Sequence, residues 1–191
     1  KLKLLTQSSP RSLPIREFYA SLLIKDCQPQ KALSQYEWIL SHHPDLLSQL
    51  ISQTKQFLSI FPDQVDLLFF LTTLYIQKPS FSDAISYLRQ VFSSSTSYND
   101  RIILCLQDIL KQAPDHVFAH HLYADVMCHE NQPKACLYSL KQLISSRYSE
   151  HDFIQKTLDS LAQDPLIKNE ALLLTCQLYC MKKDYSKARQ L

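Results

Sequence analysis

The chain has 191 residues, 46% of them hydrophobic, with 20 basic and 18 acidic side chains for a net charge of +2. That is too apolar for a disordered chain, and the near-balance of charge gives no electrostatic reason to expect nucleic acid or an anionic membrane as the main partner. No run approaches the roughly 18 apolar residues of a membrane-spanning helix, and six cysteines without framework spacing are expected to be reduced thiols in a cytoplasmic protein.

Taken in order, residues 1–7 read as the tail of a helix. Three helices follow, at about Ile15–Asp26, Pro29–His43 and Leu46–Phe61, and Pro62 stops the last. The same triplet recurs as Gln64–Lys78, Phe81–Ser93 and Asp100–Ala113, then as Asp115–Glu130, Gln132–Ser145 and Glu150–Gln163. A helix over Ile167–Lys182 and the start of another complete the chain. Spacing carries these assignments. Leu47, Leu50, Ile51, Leu58 and Phe61 recur at intervals suited to one helix face, as do Ala32, Tyr36, Ile39 and Leu40.

The triplets share a register of 52 residues. Pro10, Pro62 and Pro114 are 52 apart and Pro165 follows after 51, while Leu5, Phe57, Ile109 and Leu161 keep 52 throughout, as do Tyr19, Leu71, Tyr123 and Thr175. Ala32, Ala84, Ala135 and Ala188 recur at 52, 51 and 53, which places single-residue slips in the turns. A period of this length implies stacked units. The expected fold is all-α, a right-handed helical-repeat solenoid. Its repeats would be 11–62, 63–114 and 115–165, with part-repeats at 1–10 and 166–191. Because both ends fall in mid-repeat, the chain is expected to be a piece of a longer protein.

Punctuation agrees with the boundaries. Asp45, Asn99 and Ser149 are predicted N-caps of the third helices, and Ser80 with Asp83 has the form of a capping box. Pro29 suits a first turn. Glycine is absent, so Asn131 is the predicted left-handed residue at a helix end, and the other turns should either avoid that conformation or bear a cost of roughly 1 kcal/mol for it.

The first two helices of each triplet resemble a tetratricopeptide repeat (TPR). The residues carrying the likeness are Cys176, Tyr179 and the run Lys183-Asp184-Tyr185-Ser186-Lys187-Ala188. In the earlier units they are Ala20, Leu23, Lys31-Ala32, Tyr36 and Pro44; Thr72, Tyr75, Asp83-Ala84 and Leu88; and Ala124, Lys134-Ala135 and Ser139. Cys27, Pro79, Asn131 and Lys183 replace the family's turn glycine, only Pro44 supplies its closing proline, and the third helix is additional.

The resemblance implies a protein-interaction scaffold whose first helices line a concave groove. That face would hold Glu17, Ser21, Ile24 and Lys25; Asp66, Phe69, Thr73, Ile76 and Gln77; Phe118, His121, Asp125, Cys128 and His129; and Glu170, Leu173, Gln177, Cys180 and Met181. Such a groove is apolar and mildly acidic, fit for an extended peptide or helix of a partner protein. Glu17, Ser21, Phe70, Phe118 and Leu122 stand where chaperone-binding members carry their carboxylate clamp, which disfavours that activity.

An RNA-processing repeat protein, of the half-a-TPR or pentatricopeptide kind, is the alternative, opposed by the acidic groove. Self-association is another. The last helix would lack its cover, exposing Leu172, Leu173, Leu174, Leu178 and Tyr179 and favouring a homo-oligomer through that end.

No catalytic, metal or cofactor role is expected. His42-His43, His116, His120-His121, His129, Cys128, Cys176 and Cys180 form no zinc-type pair. Cys128 and His129 are helix neighbours that point about 100° apart, so they cannot act as nucleophile and base.

Overall fold

The computed structural model describes residues 12–26 and 28–188. The predicted tail at 1–7, Leu5, Pro10, Cys27 and the end at 189–191 lie outside them. Among the described residues every regular element is helical, with eleven α-helices, two 3-10 turns and no strand. The helices are α1 (Leu13–Lys25), α2 (Pro29–His42), α3 (Leu47–Ile60), α4 (Val65–Gln77), α5 (Phe81–Ser94) and α6 (Asn99–Gln112). They continue with α7 (Val117–His129), α8 (Pro133–Ser145), α9 (His151–Leu161), α10 (Lys168–Met181) and α11 (Tyr185–Ala188). The 3-10 turns are Pro44–Leu46 and Thr96–Tyr98, directly ahead of α3 and α6.

The predicted period is built into the backbone. The first helices end at Lys25, Gln77, His129 and Met181, the second begin at Pro29, Phe81, Pro133 and Tyr185, and the third begin at Leu47, Asn99 and His151, all 52 apart. Burial follows the same count. Leu50, Ile102 and Ile154, then Tyr36, Leu88 and Leu140, and Ile39, Val91 and Leu143 are each at most 1% exposed. The slip expected near Ala135 is absent. Cys136, fully buried, stands in register with Ala32 and Ala84, while Ala135 is half-buried. Leu140, not Ser139, is therefore the bulky residue four positions on.

A recurring helix end explains why the second helices keep register. The N–H groups of Gln28, Ser80, Gln132 and Asp184 reach back to the carbonyls of Leu23, Tyr75, Met127 and Tyr179, at 2.8 Å for the first and 2.9 Å for the others. This closure needs a left-handed residue just before the donor. Asn131 and Lys183 supply it with φ of 52° and 59°, and Arg147 does the same after α8 with φ 55°. Of the two outcomes open to the turns without Asn, Lys183 and Arg147 take the costly one, because satisfying the terminal carbonyls outweighs a backbone cost of roughly 1–2 kcal/mol per residue.

The predicted N-caps are displaced. Asp45 lies within a 3-10 turn, Asn99 is the first residue of α6, and Ser149 precedes the cap residue Glu150. The first 3-10 turn uses a main-chain acceptor, Leu46 N–H donating to His43 O at 3.1 Å, whereas in the second the Ser97 N–H donates to the Ser95 hydroxyl at 3.2 Å. Asn99 is freed to donate from Nδ2 to Glu130 Oε1 at 2.6 Å. Ser80 Oγ bonds the Asp83 carboxylate at 2.7 Å, in place of the reciprocal main-chain bonds of a capping box.

The helices group into two compact units, Lys1–Val91 and Phe92–Leu191, with the boundary inside α5. In the first unit, Tyr36 of α2 lies 5.9 Å from the Phe57 ring of α3 and 6.2 Å from Phe70 of α4. Arg16 of α1 lays its guanidinium 3.8 Å from the Trp38 ring centre and bonds Gln35 at 2.8 Å, clamping α1 to α2. In the second unit one core runs from Ala124 through Cys136, Leu140, Ile154 and Leu158 to Leu174 and Leu178. The apolar patch expected at the end is thereby largely consumed. Leu174 and Leu178 are buried, Leu172 and Tyr179 half-buried, and Leu173 alone is exposed.

Ala84→Phe should overpack α5 and cost roughly 1–3 kcal/mol, read as a lower denaturant midpoint. Arg147→Gly should act oppositely, raising stability by roughly 0.5–1 kcal/mol through relief of a left-handed residue with an exposed side chain.

Candidate functional site

The second unit carries a surface groove of ≈ 340 Å³ between α8 and α10. Lys134, Leu137, Tyr138 and Lys141 form one wall, and Glu170, Leu173, Leu174 and Gln177 the other. Helical periodicity accounts for both walls. With Cys136, Leu140 and Leu143 turned into the core, Lys134, Tyr138 and Lys141 share the opposite stripe of α8 at i, i+4 and i+7. Ala171, Leu174 and Leu178 anchor α10 in the same way, leaving Glu170, Leu173 and Gln177 outward.

Two large apolar residues face this groove unusually bare. Tyr138 is 60% exposed and Leu173 61%. Tyr138 is also shared with an adjoining hollow of ≈ 310 Å³, lined by Gln107, Leu110 and Lys111 of α6, Tyr123 of α7 and Ser139. Its ring is thus a ridge between two mainly apolar depressions. Among the described residues neither Lys134 nor Lys141 pairs with a carboxylate, whereas Lys111 is held by Asp108 at 2.9 Å.

The predicted face is only partly assembled here. Glu170, Leu173 and Gln177 meet in the groove; the four α8 residues opposite them were not anticipated. Phe69 and His121 are 3% and 6% exposed, so they offer a partner almost no surface. Elsewhere Glu17 accepts from Gln49 at 3.0 Å and Asp66 from Gln30 at 3.2 Å, committing two expected groove carboxylates to neighbouring helices. Ser21 and Thr73 return their hydroxyls to the Phe18 and Phe69 carbonyls, at 2.8 and 3.1 Å. Lys25 and Gln77 are exposed, Asp125 is half-buried, and Phe118 remains 49% exposed. His129 sits edge-on to Phe92 at 5.1 Å. Of the other expected face residues, Ile24 is buried, Ile76, Cys128 and Met181 are half-buried, and Cys180 is exposed.

His120 and His121 are engaged structurally. His120 Nε2 bonds the Pro114 carbonyl at 2.7 Å and Nδ1 lies 3.4 Å from Ser139 Oγ. His121 Nδ1 is 2.9 Å from the Tyr148 hydroxyl, which donates to Glu150 at 2.8 Å. Among the described residues no group of three or more His, Cys, Asp or Glu is placed to hold a metal ion, and no helix is long and apolar enough to cross a membrane. No family model matches the chain, and no curated protein matches it.

His116 is a cap the sequence did not reveal. Its Nδ1 accepts from the Ala119 N–H at 3.3 Å at the start of α7. Burial pushes its pKa below the ordinary value, with a smaller push from His120. Only the neutral ring can accept through Nδ1. Folding therefore favours the unprotonated form, so its contribution is complete above the unfolded value near 6.5 and is lost as pH falls towards the lower folded value. The melting temperature should drop between pH 7.5 and 5.5, and His116→Asn, which caps without titrating, should flatten that profile.

Proposed function

We propose that the chain is a TPR-like array of three-helix repeats, of right hand, acting as a protein-interaction scaffold. The α8–α10 groove is its docking surface in the second unit. One observation carries the reading: Tyr138 and Leu173, both mostly exposed, stand on opposite walls of a single groove. Isolated exposed apolar residues are ordinary on protein surfaces, but a pair framing a concavity matches the anchor pockets of peptide recognition.

The occupant is a peptide segment with an aromatic or aliphatic anchor and flanking carboxylates. Unpaired Lys134 and Lys141 border the apolar floor and favour acidic flanks, although Glu170 offsets part of that field. This reverses the sign expected from the first-helix face alone, because α8 supplies the lysines. Single-stranded RNA would also value lysines and stacking tyrosines, but the leucine walls at 137, 173 and 174 favour a peptide side chain.

The test is selection from a displayed library of 15-residue peptides, with affinities then measured by fluorescence anisotropy. Recovered binders should pair an apolar anchor with Asp or Glu. Tyr138→Ala should weaken them tenfold or more, about 1.4 kcal/mol, and Lys134→Glu with Lys141→Glu should weaken acidic binders and spare neutral ones. Binders indifferent to Tyr138→Ala, or tighter binding of a uridine-rich oligonucleotide, would overturn the proposal.

A further inference from the structure

Cys128 and Cys136 lie with their sulfurs 2.6 Å apart. The contact belongs to the repeat. Position 128 corresponds by the 52-residue count to Ile24, Ile76 and Cys180, and position 136 to Ala32, Ala84 and Ala188. In the two preceding hairpins an isoleucine and a fully buried alanine occupy these places. The helix end that sets this spacing is closed by Gln132 N–H to Met127 O at 2.9 Å and Asn131 N–H to Cys128 O at 3.2 Å. Only between α7 and α8 are both places cysteine, so a position normally reserved for packing holds two thiols within reach of each other.

Their environments differ. Cys136 is fully buried in the core, whereas Cys128 is half-buried and lines a surface hollow of ≈ 250 Å³ beside Asn131, Pro133 and Asp164. A small reagent therefore meets Cys128 first. The proton is shared unequally too. Donation from the Cys136 thiol holds Cys128 below the ordinary thiol value, while that same bond and burial hold Cys136 above it. Thiolate character and access together identify the attacking member of such a pair.

We propose that Cys128 and Cys136 are a dithiol pair oxidised reversibly to an intrachain disulfide by low-molecular-weight disulfides, with Cys128 attacking and Cys136 resolving. The Cys128 thiolate attacks one sulfur of the reagent, forming a mixed disulfide and expelling one thiolate. Cys136 loses its proton to that thiolate or to water, attacks the Cys128 sulfur and expels the second. Two protein thiols are oxidised, and one small disulfide is reduced to two thiols. The product pins the end of α7 to the first turns of α8, the helix that carries Lys134 and Tyr138.

Lys134 separates the two cysteines, so trypsin places them on different peptides, 112–134 and 135–141, each with one cysteine. The full chain is treated with oxidised glutathione, its remaining thiols are blocked with iodoacetamide, and the digest is weighed without reduction. The expected product is the 112–134/135–141 pair joined by a disulfide, dissolved by dithiothreitol. Cys136→Ser should halt at glutathione on Cys128, and Cys128→Ser should leave Cys136 free for alkylation after unfolding. Recovery of both wild-type peptides carrying only iodoacetamide, or of Cys128 joined to Cys105, Cys176 or Cys180, would overturn the proposal. So would glutathione lodged on Cys136 in place of Cys128.

Discussion

Each first helix ends in the same way, and much of the molecule is organised by that end. A main-chain bond spanning five residues closes α1, α4, α7 and α10, and the second helix begins at the same offset after it every time. Once that offset is set, the residue three places into the second helix is carried to the buried side of the hairpin. It must be small, and it is Ala32, Ala84 or Cys136. Leu33, Ile85 and Leu137 follow inward, and Tyr36, Leu88 and Leu140 fill the next layer. The left-handed residue at each described end costs backbone energy, but the alternative is a set of unsatisfied carbonyls beside a hydrophobic core.

That cost is distributed unevenly. Asparagine tolerates the left-handed region because its short polar side chain can bond locally, and lysine and arginine lack that compensation. The chain pays it without glycine anywhere. The gain lies in the unfolded state, where glycine would add conformational freedom to be surrendered on folding.

Helix positions and most of the core were legible because apolar spacing reports burial directly. The predicted bounds of α1 to α10 agree with the structure to within two residues at every end, and Leu50, Ile51, Tyr36 and Ile39 are buried as their spacing implied. What escaped had physical causes. Cys136 was passed over for Ala135 because a buried thiol and a methyl group serve the same packing role and only the turn geometry separates them. Asn99 looked like a cap because a 3-10 turn ahead of a helix leaves no mark in composition. In the candidate groove, Glu170, Leu173 and Gln177 were anticipated, but Lys134, Tyr138 and Lys141 were not, since the family likeness directs attention to the first helix of each pair. The opposing wall comes from the outward stripe of a second helix. That stripe reads as ordinary solvent-facing surface until α10 is set beside it.

An unbroken count of 52 also bears on how such a chain can change its length. Gln64 precedes Val65 as residue 116 precedes Val117, both at the cap position of a first helix. Removing residues 65–116 would join Gln64 to Val117 and hand each helix a successor starting in the same phase. A deletion or duplication of 52 residues at that point would therefore keep a cap residue directly ahead of the next first helix. One residue inserted inside a helix would instead rotate the rest of that helix by about 100°, off its buried stripe. For this architecture, the turn that sets the register is also what sets the step by which it can grow.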